Sequence, residues 1–356
     1  FFAEEKAMDI GGAYREWYSC LFKEDGYAKK YFRRTKFVTS IHNPAFQGLM
    51  PRSVLGDYYG LSDNLFEYGN VRFKNQVSSL KTAIVYSDKL TTVSPNHRYE
   101  LLTPEGSMGL NDVLTYREYD FQGILNGIDY LEFNPNKDDK IAVPFNLTTA
   151  FKAKAANKAK LFEKLHIKDY GHPCFSLVSR ITWQKGMELV FPAVEELANK
   201  GCNIIMLGSG EYQYEQKMEE LRARYPDKIA IYIGYNDQLA HEIYASSDFF
   251  LMPSLFEPCG LGQMIAQRYG TLPIVRRTGG LKDSVIPFDG TNQETANGFG
   301  FDSYDTSEMV RTCLWAYENW WNIPLRKQLI KNAMKTDNSW KKSANEYYCL
   351  YKSLIR

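Results

Sequence analysis

The sequence predicts an α/β protein of two domains, the second built on a doubly wound parallel sheet. At 356 residues the chain exceeds what one hydrophobic core organises, and at about 150 residues per domain it divides in two, with a cleft expected between the halves. From about residue 173, short continuous apolar runs alternate with amphipathic stretches, the pattern of a parallel sheet covered on both faces. The loops that end those runs are rich in glycine, hydroxyls and charge, and ligands of such sheets sit at the C-terminal strand ends.

Residues 36–150 are α/β but less regular. A strand at Phe37–Ile41, a helix near Val77–Ser87 and a strand at Lys89–Val93 are separated by long insertions, as in the later part of a domain. The charged, alanine-rich stretch Ala150–Lys164 is a connecting helix. Strands follow at Cys174–Val178, Ile204–Leu207, Ile229–Ile233, Phe249–Met252 and Leu272–Val275. Between them lie helices at Met187–Asn199, Glu211–Tyr225, Asp237–Ser246 and Leu261–Tyr269. The segment Asp305–Arg356 is helical and carries Trp315, Trp320, Trp321 and Trp340, a packing belt expected to dock onto both domains. The expected division is therefore 1–150, 151–330, and a terminal helix 331–356 that crosses back to the first domain.

Composition narrows the functions. The 43 Lys and Arg nearly cancel the 42 Asp and Glu, which argues against nucleic acid or an anionic membrane as partner. Aromatic residues reach 15%, serving either a large core or flat platforms for sugars and purines. The six cysteines form no CxxC pair, so reduced thiols in a cytosolic protein are expected and a zinc site is not. No run approaches the ~18 apolar residues of a membrane span, and Phe1-Phe2-Ala3-Glu4-Glu5 has no signal pattern. The chain starts without Met, so a fragment lacking upstream residues is expected.

The strand-end loops supply the candidate chemistry. In SRITWQKGMELV, Arg180 and Lys185 stand where a helix begins, either as an anion site suited to a diphosphate or as two solvated charges. LGSGE brings Gly208, Ser209 and Gly210, which let backbone approach a ligand closely. YIGYND places Tyr235 at the same rim, as a stacking ring or a plain rim tyrosine. SLFEPCGLGQM follows the fourth strand with Glu257 and two glycines, and RRTGGLKDSV follows the fifth. In the first half, TSIHNPAFQG ends a strand with His42 and Asn43, and GILNGID supplies Asn126. A lone histidine there is either structural or a donor to a substrate oxygen. No HExxH, P-loop or GxSxG motif is present, and KDDK at 137–140 is expected to be solvated.

Taken in order, SIHNPAFQG, YSDKLTTVSP, GILNGID, SRITWQKG, SLFEPCGLGQM and VRRTGGL resemble the motifs of bacterial glycogen synthases and plant starch synthases, from about Lys36 to the C-terminus. The resemblance implies a GT-B fold of two Rossmann-like domains facing across a cleft, the first incomplete. It implies transfer of glucose from ADP-glucose to the non-reducing end of an α-1,4-glucan with retention of configuration, without metal or other cofactor. On this likeness Arg180 and Lys185 neutralise the diphosphate leaving group, and Glu257 holds the donor glucose, with Cys259, Gly260 and Leu261 offering backbone N–H groups to its hydroxyls. Thr278 and Gly279 are implied phosphate contacts, with Gly208 beside the donor. Tyr235 stacks the adenine, His42 steadies the oxocarbenium-like charge, and Asn126 reaches the same sugar from the first domain. The implied location is the cytoplasm, or the plastid of a plant.

Two departures stand out. The family's Lys-Thr-Gly-Gly-Leu loop is not found before residue 36, and MDIGGAYREWYSCLFKEDGYAKKYF occupies the place of a His-Asp-Trp-His-like stretch, with Asp9 its one conceivable remnant. Truncation is the expected reason for the first, and altered acceptor handling is the expectation raised by the second. Two alternatives keep the fold: another nucleotide-sugar transferase, or a glucan phosphorylase, for which no lysine motif for pyridoxal phosphate is seen. A third is a non-catalytic glucan-binding protein.

Overall fold

The computed structural model describes residues 11–355, so Asp9 lies outside the described residues. They form two compact units. One runs to Leu125 and includes the residues from Glu346 onward; the other is Asn126–Asn345.

The first unit carries a three-stranded parallel sheet and a small antiparallel one. The strands in chain order are β1 (Val38–Ile41), β2 (Leu49–Met50), β3 (Arg72–Phe73), β4 (Gln76–Ser78), β5 (Lys89–Thr92) and β6 (Phe121–Gly123). The parallel sheet runs β1-β5-β6 and the antiparallel one β2-β4-β3. The helix Ser79–Tyr86 starts at Ser78, whose hydroxyl accepts the Lys81 N–H and so satisfies one of the four orphan donors of the first turn. Ile41, Leu80, Ile84, Leu90 and Phe121 close a core between that helix and the sheet. Tyr347 and Leu350, from the end of the helix Trp340–Leu354, bury with Ile124.

The second unit is built on six parallel strands: β7 (Cys174–Val178), β8 (Asn203–Gly208), β9 (Ile229–Ile233), β10 (Phe249–Met252), β11 (Leu272–Arg276) and β12 (Phe299–Phe301). Their order is β12-β11-β10-β7-β8-β9. The chain winds outward from β7 to one edge, returns to β10 and winds to the other, so the topological switch point falls between β7 and β10. β8 is buried along its whole length because helices cover both faces. The sequence locates five strands and misses β12, whose Phe-Gly-Phe is too short for any period. The tryptophans pack differently from the expected belt. Trp315 stacks on Phe288, while Trp320 and Trp321 meet edge to face beside His172, all inside the second unit.

Residues 126–150 group with the second unit rather than the first, for identifiable reasons. Ile128 donates its N–H to Asn338 O at 2.8 Å, and Asn157 brackets Val143 through both backbone groups. Asp138 of the KDDK stretch is buried, not solvated. Its Oδ2 accepts the Tyr269 hydroxyl at 2.5 Å and lies 2.8 Å from His241 Nδ1. Burial pushes the Asp138 carboxyl up, but the His241 and Tyr269 bonds outweigh it and hold the pKa below the ordinary value. Asp138→Ala should leave two buried polar groups without an acceptor and cost about 1–3 kcal/mol, read as a lower urea midpoint.

Lys154, on the helix Ala150–Leu165, is buried, and its ammonium faces the carbonyls of Tyr244, Ala245 and Tyr269 and the Thr271 hydroxyl. Burial pushes its pKa down to about 7 from 10.5. Below about pH 7 the amine is protonated in both folded and unfolded chains; between about 7 and 10.5 the unfolded chain binds more protons, so stability rises with pH. Denaturant titrations should show that rise, and Lys154→Met should flatten it.

Candidate active site

The C-terminal edge of the six-stranded sheet collects most of the candidate residues at the switch point. After β7 the chain passes Arg180, makes a short 3₁₀ turn at Trp183–Lys185, and enters the helix Met187–Asn199 through Gly186. After β10 it runs through Ser254–Leu261 into the helix Gly262–Arg268. Leu255 donates its N–H to Gln184 O at 2.8 Å, and the Gln184 amide donates to Phe256 O at 3.2 Å. Gly186 stands at φ 74°, and a Cβ there would meet Pro253 O at 2.1 Å, so two constraints require glycine.

The two loops meet in an ion pair. Lys185 Nζ lies 2.6 Å from Glu257 Oε2, with side-chain exposures of 15% and 9%. Ser254 donates its hydroxyl to the same carboxylate oxygen at 2.9 Å. Sequence reasoning gave Lys185 to a diphosphate and Glu257 to a sugar, and the structure brings the two into direct contact. Lys185 is no solvated surface charge. Arg180 is exposed, and among the described residues no ion pair reaches its guanidinium.

The loop that follows is shaped to present N–H groups. The buried Gln263 amide donates to Cys259 O at 3.1 Å and Gly260 O at 3.0 Å, which turns the peptide planes. Among the described residues no hydrogen bond engages the N–H of Gly260 or Leu261, at the entrance of the helix Gly262–Arg268. Cys259 is buried and its thiol is free of disulfide. Thr278 is buried at the start of the helix Gly279–Ser284, and Gly280 donates its N–H to Glu257 O at 3.1 Å. Gly279 has φ 44°, and a Cβ there would meet Glu257 O at 2.0 Å. The Thr278–Gly280 turn thus lies directly against the Glu257 backbone.

Gly208 ends β8 where a Cβ would meet Ser179 O at 1.9 Å, bringing the β7 and β8 loops together. Tyr235 is almost fully exposed, just after β9. Asn126 belongs to the second unit, not the first, and the next residue, Gly127, packs against the Ser339–Trp340 backbone. His42 follows β1 in the first unit and is exposed. Sequence reasoning passed over Ser254, Gln263 and Arg276. Arg276 Nε donates to Ser254 O at 2.9 Å and its Nη2 to Leu255 O, bracing the Glu257 loop from β11. Its position at the head of RRTGGL was the one available signal.

Among the described residues one carboxylate and imidazole group has metal-like spacing, Glu132, Asp237 and His241. Lys140 Nζ sits 2.6 Å from Asp237 and 3.4 Å from His241 Nε2, so an ammonium already holds that position. No helix of the described residues is long and apolar enough to cross a membrane.

Removing either partner of the Lys185–Glu257 pair leaves a mostly buried charge uncompensated. Lys185→Ala and Glu257→Ala should each lower stability by about 3 kcal/mol, and the double variant by less than the sum, measured as a double-mutant cycle in urea.

Residues 16–116 match the starch synthase catalytic domain family, and residues 158–336 match glycosyl transferases group 1. Glycogen synthase from Clostridium kluyveri is 41% identical over 336 residues, covering 94% of this chain and 70% of that protein. The catalytic domain of starch synthase IV from Arabidopsis thaliana, solved bound to ADP and acarbose, superposes with a TM-score of 0.88 at 32% identity, over 96% of this chain and 71% of that one. Anabaena HepE, solved with UDP-glucose, shares the fold at a TM-score of 0.57 and 14% identity. With a GT-B α/β fold and these relatives, the chain belongs to the glycogen and starch synthase family of glycosyltransferases.

Proposed function

We propose that the protein transfers glucose from ADP-glucose to the non-reducing end of an α-1,4-glucan, with retention and without a metal. The observation that carries this reading is the meeting of Lys185, Glu257 and the open N–H groups of Gly260 and Leu261 at the switch point, beside an exposed Arg180. A nucleotide diphosphate needs cations and N–H donors there, and a sugar needs a buried carboxylate. ADP, the ligand of the Arabidopsis relative, fits that donor set.

The roles follow from the chemistry. Arg180 and Lys185 neutralise the charge that develops on the leaving diphosphate, which lowers the barrier only if they are in place before the bond breaks. Thr278 and the Gly279 turn add phosphate contacts. Glu257 accepts hydroxyls of the glucose while its other oxygen environment stays fixed by Ser254. Gly208 gives backbone access, Tyr235 stacks the base, and Asn126 attends the sugar. The free cysteines and balanced charge fit a cytosolic enzyme acting on a neutral polymer.

Incubation with radiolabelled ADP-glucose and glycogen should yield labelled polymer, and less with UDP-glucose; no incorporation from either donor refutes the reading. Arg180→Ala should cut kcat/KM by about 10²–10³-fold, the loss of one preorganised electrostatic contact. Its thermal midpoint should not move, because the side chain is exposed. Unchanged turnover would remove Arg180 from the diphosphate site.

A further inference from the structure

The helix Gly262–Arg268 carries two glutamines one turn apart, Gln263 and Gln267, and both are fully buried. A buried amide is retained only where its hydrogen bonds offset the water it gives up. The Gln263 nitrogen faces three acceptors, Cys259 O at 3.1 Å, Gly260 O at 3.0 Å and Ser284 Oγ at 3.0 Å. The Ser284 hydroxyl gives its own proton to Gly280 O at 2.6 Å, so toward Gln263 it can only accept. Three acceptors around one atom identify it as the amide nitrogen. The Oε1 is left without a partner among the described residues, so the side chain forgoes one bond to keep its donors on the loop.

That orientation sets the direction of two N–H groups. A trans peptide is planar, and its C=O and N–H point to opposite sides. The Cys259 carbonyl shares a peptide with the Gly260 N–H, and the Gly260 carbonyl shares one with the Leu261 N–H. Drawing both oxygens in toward Gln263 therefore turns both N–H groups away from it, and these are the two that no hydrogen bond engages among the described residues. Gly260 makes room for the amide: it stands at φ 71°, and a Cβ there would meet Gln263 Oε1 at 2.6 Å.

Ser284 ends the helix Gly279–Ser284, which begins at the Thr278 turn, so the same amide clips the loop to the element behind it. Gln267 does something else. It donates to Ser284 O at 3.0 Å and accepts the Asn338 amide at 2.7 Å, and among the described residues its side chain bonds no carbonyl of the loop 257–261. We propose that Gln263 is a positioning residue for the donor sugar: buried behind the loop, it aims the Gly260 and Leu261 N–H groups at glucose hydroxyls, with Ser284 as its anchor. The proposal rests on the ADP-glucose reading for its choice of ligand. Donors fixed in this way are in place before the ligand arrives.

Isothermal calorimetry with ADP-glucose and with ADP tests it, alongside urea midpoints and initial rates of transfer to glycogen, for the wild type, Gln263→Met, Ser284→Ala and Gln267→Met. Gln263→Met should weaken ADP-glucose binding about 10-fold, the loss of two aimed N–H contacts, while ADP, which has no glucose, stays within about 2-fold. Ser284→Ala spares both carbonyl bonds, so it should shift the same way by about 3-fold, and it stands in should Gln263→Met not fold. Gln267→Met should lower the urea midpoint and change neither affinity, which separates aiming from mere stability. Unchanged binding of both ligands by Gln263→Met and Ser284→Ala overturns the proposal, as does an equal loss of both ligands. A selective loss of ADP-glucose in Gln267→Met overturns it too. Wild type that binds ADP-glucose but never transfers glucose refutes the synthase reading and leaves the positioning role standing.

Discussion

The ion pair between Lys185 and Glu257 is the contact on which the active-site edge depends. The two residues are 72 apart in sequence, and the strand order alone brings them together, because β7 and β10 are neighbours across the switch point. A charge pair this far from water is stabilising only when its remaining lone pairs and protons are satisfied. Ser254 supplies a donor to the carboxylate, and Arg276 in turn holds the carbonyls of Ser254 and Leu255. The Glu257 loop is thereby fixed from three strands, which leaves the N–H groups of Gly260 and Leu261 pointing out of a rigid frame rather than a mobile loop.

The opposite edge of the same sheet holds a second buried ionic group with a different task. Asp248 precedes β10 and accepts both the Lys158 ammonium at 3.2 Å and the Cys174 N–H at 2.8 Å. Burial pushes its carboxyl up, yet Lys158 and the Cys174 N–H hold it below the ordinary range. Its neighbour Cys174 is pushed up to about 12 by burial and stays a thiol. Charge at the N-terminal strand ends thus anchors the long helix Ala150–Leu165 to the sheet, while charge at the C-terminal ends is left for chemistry.

Much of the second unit was legible because its strands are short, mostly apolar runs separated by amphipathic helical stretches, and several ends fall on the expected residue. The candidate site was legible as a set of loops on one edge, since parallel strands put all their C-terminal ends together. What the sequence did not show were pairings between distant residues. No local pattern says that Lys185 faces Glu257, or that Asp138 in a polar-looking KDDK is buried by Tyr269 and His241. The domain edge at Leu125 was hidden for the same reason: residues 126–150 have no periodicity of their own and are placed by partners up to 208 residues away, as in the bond from the Asn338 N–H to the Tyr130 hydroxyl. The first unit, with strands of two to four residues, gave correspondingly less to read.

The close backbone approaches at Gly186, Gly208, Gly210, Gly279 and Gly280 have an effect beyond shape. At each, an added Cβ would sit within 2.2 Å of a carbonyl oxygen from a neighbouring loop. A saturation scan read out by activity would therefore mark these five positions as intolerant as Arg180 or Glu257. They would be so because loops that must touch one another admit no methyl group between them, so the map of inactivating substitutions would trace the seams of the scaffold as well as the contacts of the substrate.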